Sequence, residues 1–500
     1  MAPFSADRSC RNGLAGAALA LVLVAPHADG RAQAAAQVQQ AEPASREAML
    51  AIAADLVRAS PRLATIWPGY WPPDQSFIIY SPTQGALLIS PGERPASFQP
   101  LAGAGLADEL KGRAFWHSGN LRDVRRPFVV GYPVGSGKTA ILVDVRGANA
   151  DTIISLLLHE QFRGYQTDAF KGRGPQFVDP LAIKDRVAFA VAAETERRVL
   201  AKALKARQRK EMRRLIRQYL ALRREREAAL PAEVLKVERG FERIEGVATY
   251  AERAGRALLD GDQARLPSLL VNELQKPLAS SKGAFATHWF RGRGYATGAA
   301  ITYFISKLGL ADWRTRLEQG AVPDELLESL AGRPAPRAAA ALAGQGRASV
   351  DQQALRQELE RIIRAGEKAE IKSVSEFLAT APYRLVLEAK AAGKGNTGFS
   401  GMNMAELAPG TMALPKAAMF NYSAPAVSLS ARDLPVLMEI DRITLLASSA
   451  PRIVELASAA PGEHRLNSAT IRSDGIELNI ERPVVVTIAG DSTTIRVLER

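Results

Sequence analysis

The 500-residue chain reads as an α+β protein: a small β-sheet followed by a mainly helical part, then a C-terminal all-β sandwich-like module. Three observations predict this. Short runs of β-branched and aromatic residues, separated by turn formers, cluster before Val145. Apolar side chains recur with helical spacing from Asp151 to about Leu330. From about Pro382 the pattern alternates with period two and is punctuated by Asp474-Gly475 and Gly490-Asp491, residues suited to tight turns.

Taken in order, the chain begins with the parts of an export signal. Arg8 and Arg11 precede a short apolar run, Gly13 to Ala25, and Ala32-Gln33-Ala34 offers a small-residue cleavage site. Residues 1–34 are therefore expected to be removed on export, to the periplasm or the exterior. The apolar run falls short of the ~20 residues of a spanning helix, and no later segment is long and apolar enough, so no transmembrane segment is expected after cleavage. Cys10, the one cysteine, lies inside the signal. The exported chain then has neither disulfides nor a thiol nucleophile.

Residues 35–45, rich in Ala and Gln at the start, are expected to be disordered. Arg46 to Arg58 has helical spacing. Ser76 to Tyr80 and Gly85 to Ser90 read as strands; Pro127 to Tyr132 and Thr139 to Val145 read as a hairpin. Gly135-Ser136-Gly137-Lys138-Thr139 looks like the end of a phosphate-binding loop, but that pattern needs a glycine at Tyr132 and a helix after Thr139, where the residues are strand-like. Nucleotide binding is excluded on that ground.

The net charge of +13 points to an acidic neighbour such as an envelope surface. Much of the excess lies in Arg197 to Arg226, read as one long helix with Leu200, Leu204, Leu215, Tyr219 and Leu222 buried and its cations on the wet face. No aromatics are interleaved for base stacking, so nucleic acid is not an expected partner. Residues 332–381 read as a low-complexity linker (Gly332 to Arg347) and a short helix (Val350 to Gly366). Tyr383 to Ala389, Ile476 to Ile480, Val484 to Ile488 and Thr494 to Leu498 read as strands of a separate module, 382–500.

The most informative stretch is Ile153 to Gln166. His159 and position 163 are four apart and share a helix face, and the intervening sequence reads His159-Glu160-Gln161-Phe162-Arg163. In the HExxH motif two histidines at this spacing bind zinc, and the glutamate takes a proton from zinc-bound water. A second stretch, Glu245-Gly246-Val247-Ala248-Thr249-Tyr250, fits EGxAxY. Together, and in this order, the two resemble the gluzincins, zinc peptidases whose third ligand is a glutamate. The resemblance covers about Pro127 to Leu310 and assigns residues 46–331 to a metallopeptidase-like domain. It implies His159 and Glu245 as metal ligands and Glu160 as general base. Gly294 to Ala300 looks like the small-residue helix behind such a site, with Tyr295 or His288 as candidates to bind an oxyanion.

The departure is at Arg163, which stands where the second histidine belongs. A guanidinium keeps its proton and has no lone pair to give. The expectation is therefore zinc held poorly or no metal at all, with Arg163 supplying positive charge to the carboxylates by bidentate pairing. The resulting reading is an exported protein with a degenerate zinc site, impaired in catalysis, that binds a peptide, protein or envelope partner. The alternative is an active zinc-dependent peptidase in which another ligand fills in; Asp168, Glu194, Glu196 and His288 have suitable side chains. A third reading makes the motif matches accidental, in a structural or interaction protein. His117 and His464 are expected to be surface or turn histidines.

Overall fold

The computed structural model describes residues 45–498 apart from residues 93, 104, 120, 122–127, 136–138, 146–147, 173–182, 184, 278–288, 290–291, 380–382, 393–394, 403–404, 409–410, 440, 457–459 and 474. The expected export signal, His288, and all of the segment 35–45 except Ser45 lie outside the described residues. Ser45 itself caps the first helix, its side chain accepting from the Ala48 amide. Among the described residues no helix is long and apolar enough to cross a membrane. The molecule is α+β, with a helical middle and a strand-rich C-terminal region, and its described residues fall into two compact units: those of 26–380 with 403–413, and those of 381–402 with 414–500.

The first unit opens with helix α1 (Arg46–Leu63). A sheet follows, built from β1 (Phe77–Ser81), β2 (Gly85–Ile89), β3 (Gln99–Pro100), β4 (Ala114–His117), β5 (Phe128–Pro133) and β6 (Thr139–Asp144). The strand order is β3-β4-β2-β1-β6-β5, and β1 pairs in parallel with β6 while its other neighbour, β2, is antiparallel. Both β1 and β2 are buried along their whole length, which explains their continuous apolar runs. The turn between them needs glycine at position 85: its φ is +117°, and a Cβ there would lie 2.4 Å from the His117 carbonyl. Thr139–Asp144 is a strand, as its residues predicted.

Helix α2 (Ala150–Ala169) starts a few residues after β6, where Asn149 accepts from the Thr152 amide at 2.9 Å. It packs on β6 and against α6 (Val247–Leu259). Before α6 come α3 (Arg186–Lys205), α4 (Arg209–Glu227), α5 (Ala232–Phe241) and a π turn, Glu242–Gly246, that joins α5 to α6. After α6 come α7 (Leu266–Gln275), α8 (Arg293–Leu308), α9 (Trp313–Glu318), α10 (Pro323–Ala331), α11 (Pro336–Ala348) and α12 (Gln352–Ala379).

The π turn and α8 cross with their backbones in contact. A Cβ on Gly246 would lie 2.4 Å from the Gly298 Cα, and one on Gly298 would lie 2.3 Å from the Glu242 carbonyl oxygen. Only glycine at both places permits this approach, so the small residues of α8 do pack behind the π turn.

Three sequence expectations change. The basic stretch is two helices rather than one: the chain turns at Ala206–Gln208, and α3 and α4 pack as a hairpin. The five apolar residues expected in its buried stripe are all buried, but so are Arg197, Arg223 and Arg226, because acidic partners inside the helical unit receive them. The expected linker is helix α11. Pro336 at its start and the following alanines favour helix, and Gly346 packs against Leu222. The short helix after it extends to Ala379, with Leu355, Leu359 and Ile363 buried at four-residue intervals. The helical unit thus runs well beyond residue 331.

In the second unit, strands Tyr383–Glu388, Ile476–Ile480, Val484–Ala489 and Ser492–Val497 lie where alternation predicted them. Val484–Ala489 and Ser492–Val497 form a hairpin around Gly490-Asp491, with Gly490 at φ +47°. Tyr383–Glu388 runs parallel to Ser492–Val497 and antiparallel to Arg442–Ala447. Burial alternates along Ile476–Ile480, the signature of one face turned inward.

Candidate functional site: a histidine between two carboxylates

Of the residues singled out by the two motifs, His159 and Arg163 meet Glu245. His159, Glu160 and Arg163 on α2, Glu245 in the π turn and Tyr295 on α8 are all buried. The Nε2 of His159 lies 3.4 Å from Glu245 Oε2, and its Nδ1 lies 3.1 Å from Oε2 of Glu252 on α6. The ring of Tyr295 stacks on that of His159, with centroids 5.7 Å apart and planes at 15°.

Both ring nitrogens of His159 face carboxylate oxygens. A neutral imidazole has one N–H, so it could donate to only one of them; the imidazolium donates to both. Burial alone would pull the His159 pKa down. Hydrogen bonds to Glu245 and Glu252, with the charges of Glu160 and Glu252, overcome this and push it up to about 10. That direction favours the protonated ring between the two carboxylates.

Arg163 adds a guanidinium. Its Nε lies 3.5 Å from the same Glu245 oxygen that faces His159. Its Nη1 donates to Gln166 Oε1 at 2.8 Å, and Gln166 Nε2 donates to the Ile244 carbonyl at 3.0 Å. Arg163 thus reaches the π turn directly at Glu245 and through Gln166 at Ile244. On the far side of the cluster, Arg253 reaches Glu252 at 3.2 Å and Glu273 at 2.6 Å.

The donor set departs from that of an intact zinc site at one position. Of the three ligand positions in the motif, His159 and Glu245 remain, and the third presents a guanidinium within 3.5 Å of the carboxylate that would bind the metal. Among the described residues no group of three or more His, Cys, Asp or Glu side chains is arranged to hold a metal ion. Of the substitutes considered from side-chain type, Asp168 is exposed. Glu194 pairs with Arg197 and Arg198, and Glu196 with Arg226 at 2.7 Å. His288 lies outside the described residues. His117 and His464 make contacts to the carbonyls of Ser97 and Ala460, in the N-terminal sheet and the C-terminal unit.

Two features escaped the sequence reading. The first is Glu252. It lies two helical turns after Glu245 and so on the same face, which was the available signal. The second is a buried ionic network reached through Glu242, at the start of the π turn. Glu242 accepts from Arg223 and from the Thr297 hydroxyl, each at 2.8 Å. Glu238 receives Arg226 at 2.6 Å and Arg293 at 2.7 Å. Arg223, Arg226, Arg293, Glu196, Glu238 and Glu242 are all buried. Each of these charges would be costly alone, and the network keeps them paired.

No protein-family model, curated protein or solved structure matches the chain. The likeness to gluzincins therefore stands on the residues of the cluster themselves.

Proposed function

We propose that the His159 cluster is a metal-free counterpart of a gluzincin-like zinc site, in an exported protein that binds a peptide or envelope partner instead of cutting peptide bonds. The observation that carries this reading is the double contact at Glu245: one carboxylate oxygen lies 3.4 Å from His159 Nε2 and 3.5 Å from Arg163 Nε. His159 and Arg163 place beside Glu245 the positive charge that a metal would bring. The finer picture of the fold belongs to the same proposal: residues 46–331 as a metallopeptidase-like domain that α11 and α12 extend, and the C-terminal strands as a sandwich-like module that helps dock the partner.

The test uses full-length protein and fluorescent peptides from a casein digest, with and without added zinc. Saturable binding in anisotropy, with no cleavage that depends on Glu160, is the expected result. Cleavage that zinc stimulates and Glu160→Gln abolishes would overturn the proposal in favour of an active peptidase.

A further inference from the structure

The α3–α4 hairpin carries a concentration of charge that the buried ionic network does not use. From Lys202 to Arg217 the sequence has eight cations and one acid, Glu211. Glu211 pairs with Arg214. Arg217 donates to the Ala331 carbonyl and Lys202 to the Ser349 carbonyl, each at 2.6 Å. Lys205, Arg207, Arg209 and Lys210 are exposed at the turn itself and are in no ion pair with the described residues.

The placement works against local stability. Arg209 and Lys210 occupy the first turn of α4, whose N-terminus has no side-chain cap. Cations there oppose the positive end of the helix dipole, and the one acid of that turn, Glu211, is already paired with Arg214. Packing does not require them, since Leu204 and Met212 already supply the buried contacts at this end. An external anion would relieve the repulsion. The tip also adjoins a groove of about 540 Å³ lined by Arg198, Lys202 and Lys205 together with Glu194 and Asp351.

We propose that this hairpin tip docks the protein on an anionic lipid surface. The tip exposes four cations within six residues of a turn, a charge density complementary to an array of lipid phosphates. No aromatic residue lies between Lys202 and Gln218 to stack on a nucleobase. Its apolar residues are buried, so it has nothing to insert, and attachment is electrostatic and salt-sensitive. The choice of lipid over other polyanions rests on the exported reading. The docking itself is independent of the His159 cluster, and its failure leaves the proposal for that cluster standing.

The experiment is co-sedimentation of full-length protein with phosphatidylcholine vesicles, with and without phosphatidylglycerol, at low and high salt. Expected are binding that requires phosphatidylglycerol, loss of that binding in high salt, and at least about tenfold weaker binding when Lys205, Arg207, Arg209 and Lys210 are all changed to Gln. A control protein with Arg333→Gln and Arg337→Gln should bind like the wild type, and circular dichroism should show both variants folded. Equal binding to neutral vesicles, or undiminished binding by the folded four-site variant, would overturn the proposal. So would tighter binding to a single-stranded oligonucleotide than to the anionic vesicles.

Discussion

Glu242 and Glu245 lie three residues apart in one π turn and belong to different charge clusters: Glu242 holds Arg223 and Thr297, while Glu245 faces His159 and Arg163. The wider turn of a π helix changes which side chains share a face, and such turns are frequent at functional sites. Here it lets one short segment serve two buried polar groups, held in place by the backbone crossing at Gly298.

That crossing has a direct consequence for stability. Gly246→Ala should destabilise the protein by about 3 kcal/mol or more, since its methyl group would meet backbone instead of a side chain that can turn away. Gly344→Ala, in helix α11 with nothing within 4 Å of its Cβ position, should instead stabilise by about 0.5–1 kcal/mol. Denaturant unfolding of the two variants checks both signs.

The imidazolium should be visible in the pH dependence of folding. His159 has a folded pKa of about 10 against about 6.5 in an unfolded chain. Its contribution is therefore fully present below about pH 6.5 and is lost as pH rises towards 10, at up to about 1.4 kcal/mol per pH unit. Urea midpoints measured across this window should fall for the wild type and fall less steeply for Glu252→Gln, which weakens the hold on the proton. In nitrogen-15 spectra the His159 ring should remain protonated at pH 8.

The ionic network gives a second and opposite pH effect. Burial would raise the Glu238 pKa, but the charges of Arg226, Arg293 and Arg223 hold it well below the usual carboxylate range. Its contribution is present above the ordinary carboxylate pKa and is lost as pH falls through the depressed folded value. Glu238→Gln should cost about 3–5 kcal/mol at neutral pH, because it strands buried arginines, whereas Glu211→Gln at the surface should leave the unfolding midpoint near that of the wild type.

Much of the fold was legible because local pattern and burial agree. β1, β2, β5 and β6 are runs of β-branched or aromatic residues between turn formers, and α2 has a cap and helical spacing. The approach of His159 and Arg163 to Glu245 could be anticipated from a four-residue spacing on one helix and a second short motif. What stayed hidden depends on tertiary context. The break at Ala206–Gln208 contains neither proline nor glycine. Arg223 and Arg226 look like solvated residues until Glu196, Glu238 and Glu242 are brought to them. The Ala-rich stretch at α11 reads as low complexity, though alanine is the best helix former, and the burial of Gly346 against Leu222 needs the fold to be seen.

The central claim is that His159 and Arg163 supply the charge that zinc would otherwise bring. It is tested most directly by zinc content, measured by mass spectrometry on full-length wild-type protein and on Arg163→His, each purified without chelators and equilibrated with zinc. The account predicts far less than one zinc per wild-type chain and a clear gain in the variant, which restores the missing imidazole. Near-stoichiometric zinc in the wild type, lost on His159→Ala, would contradict it.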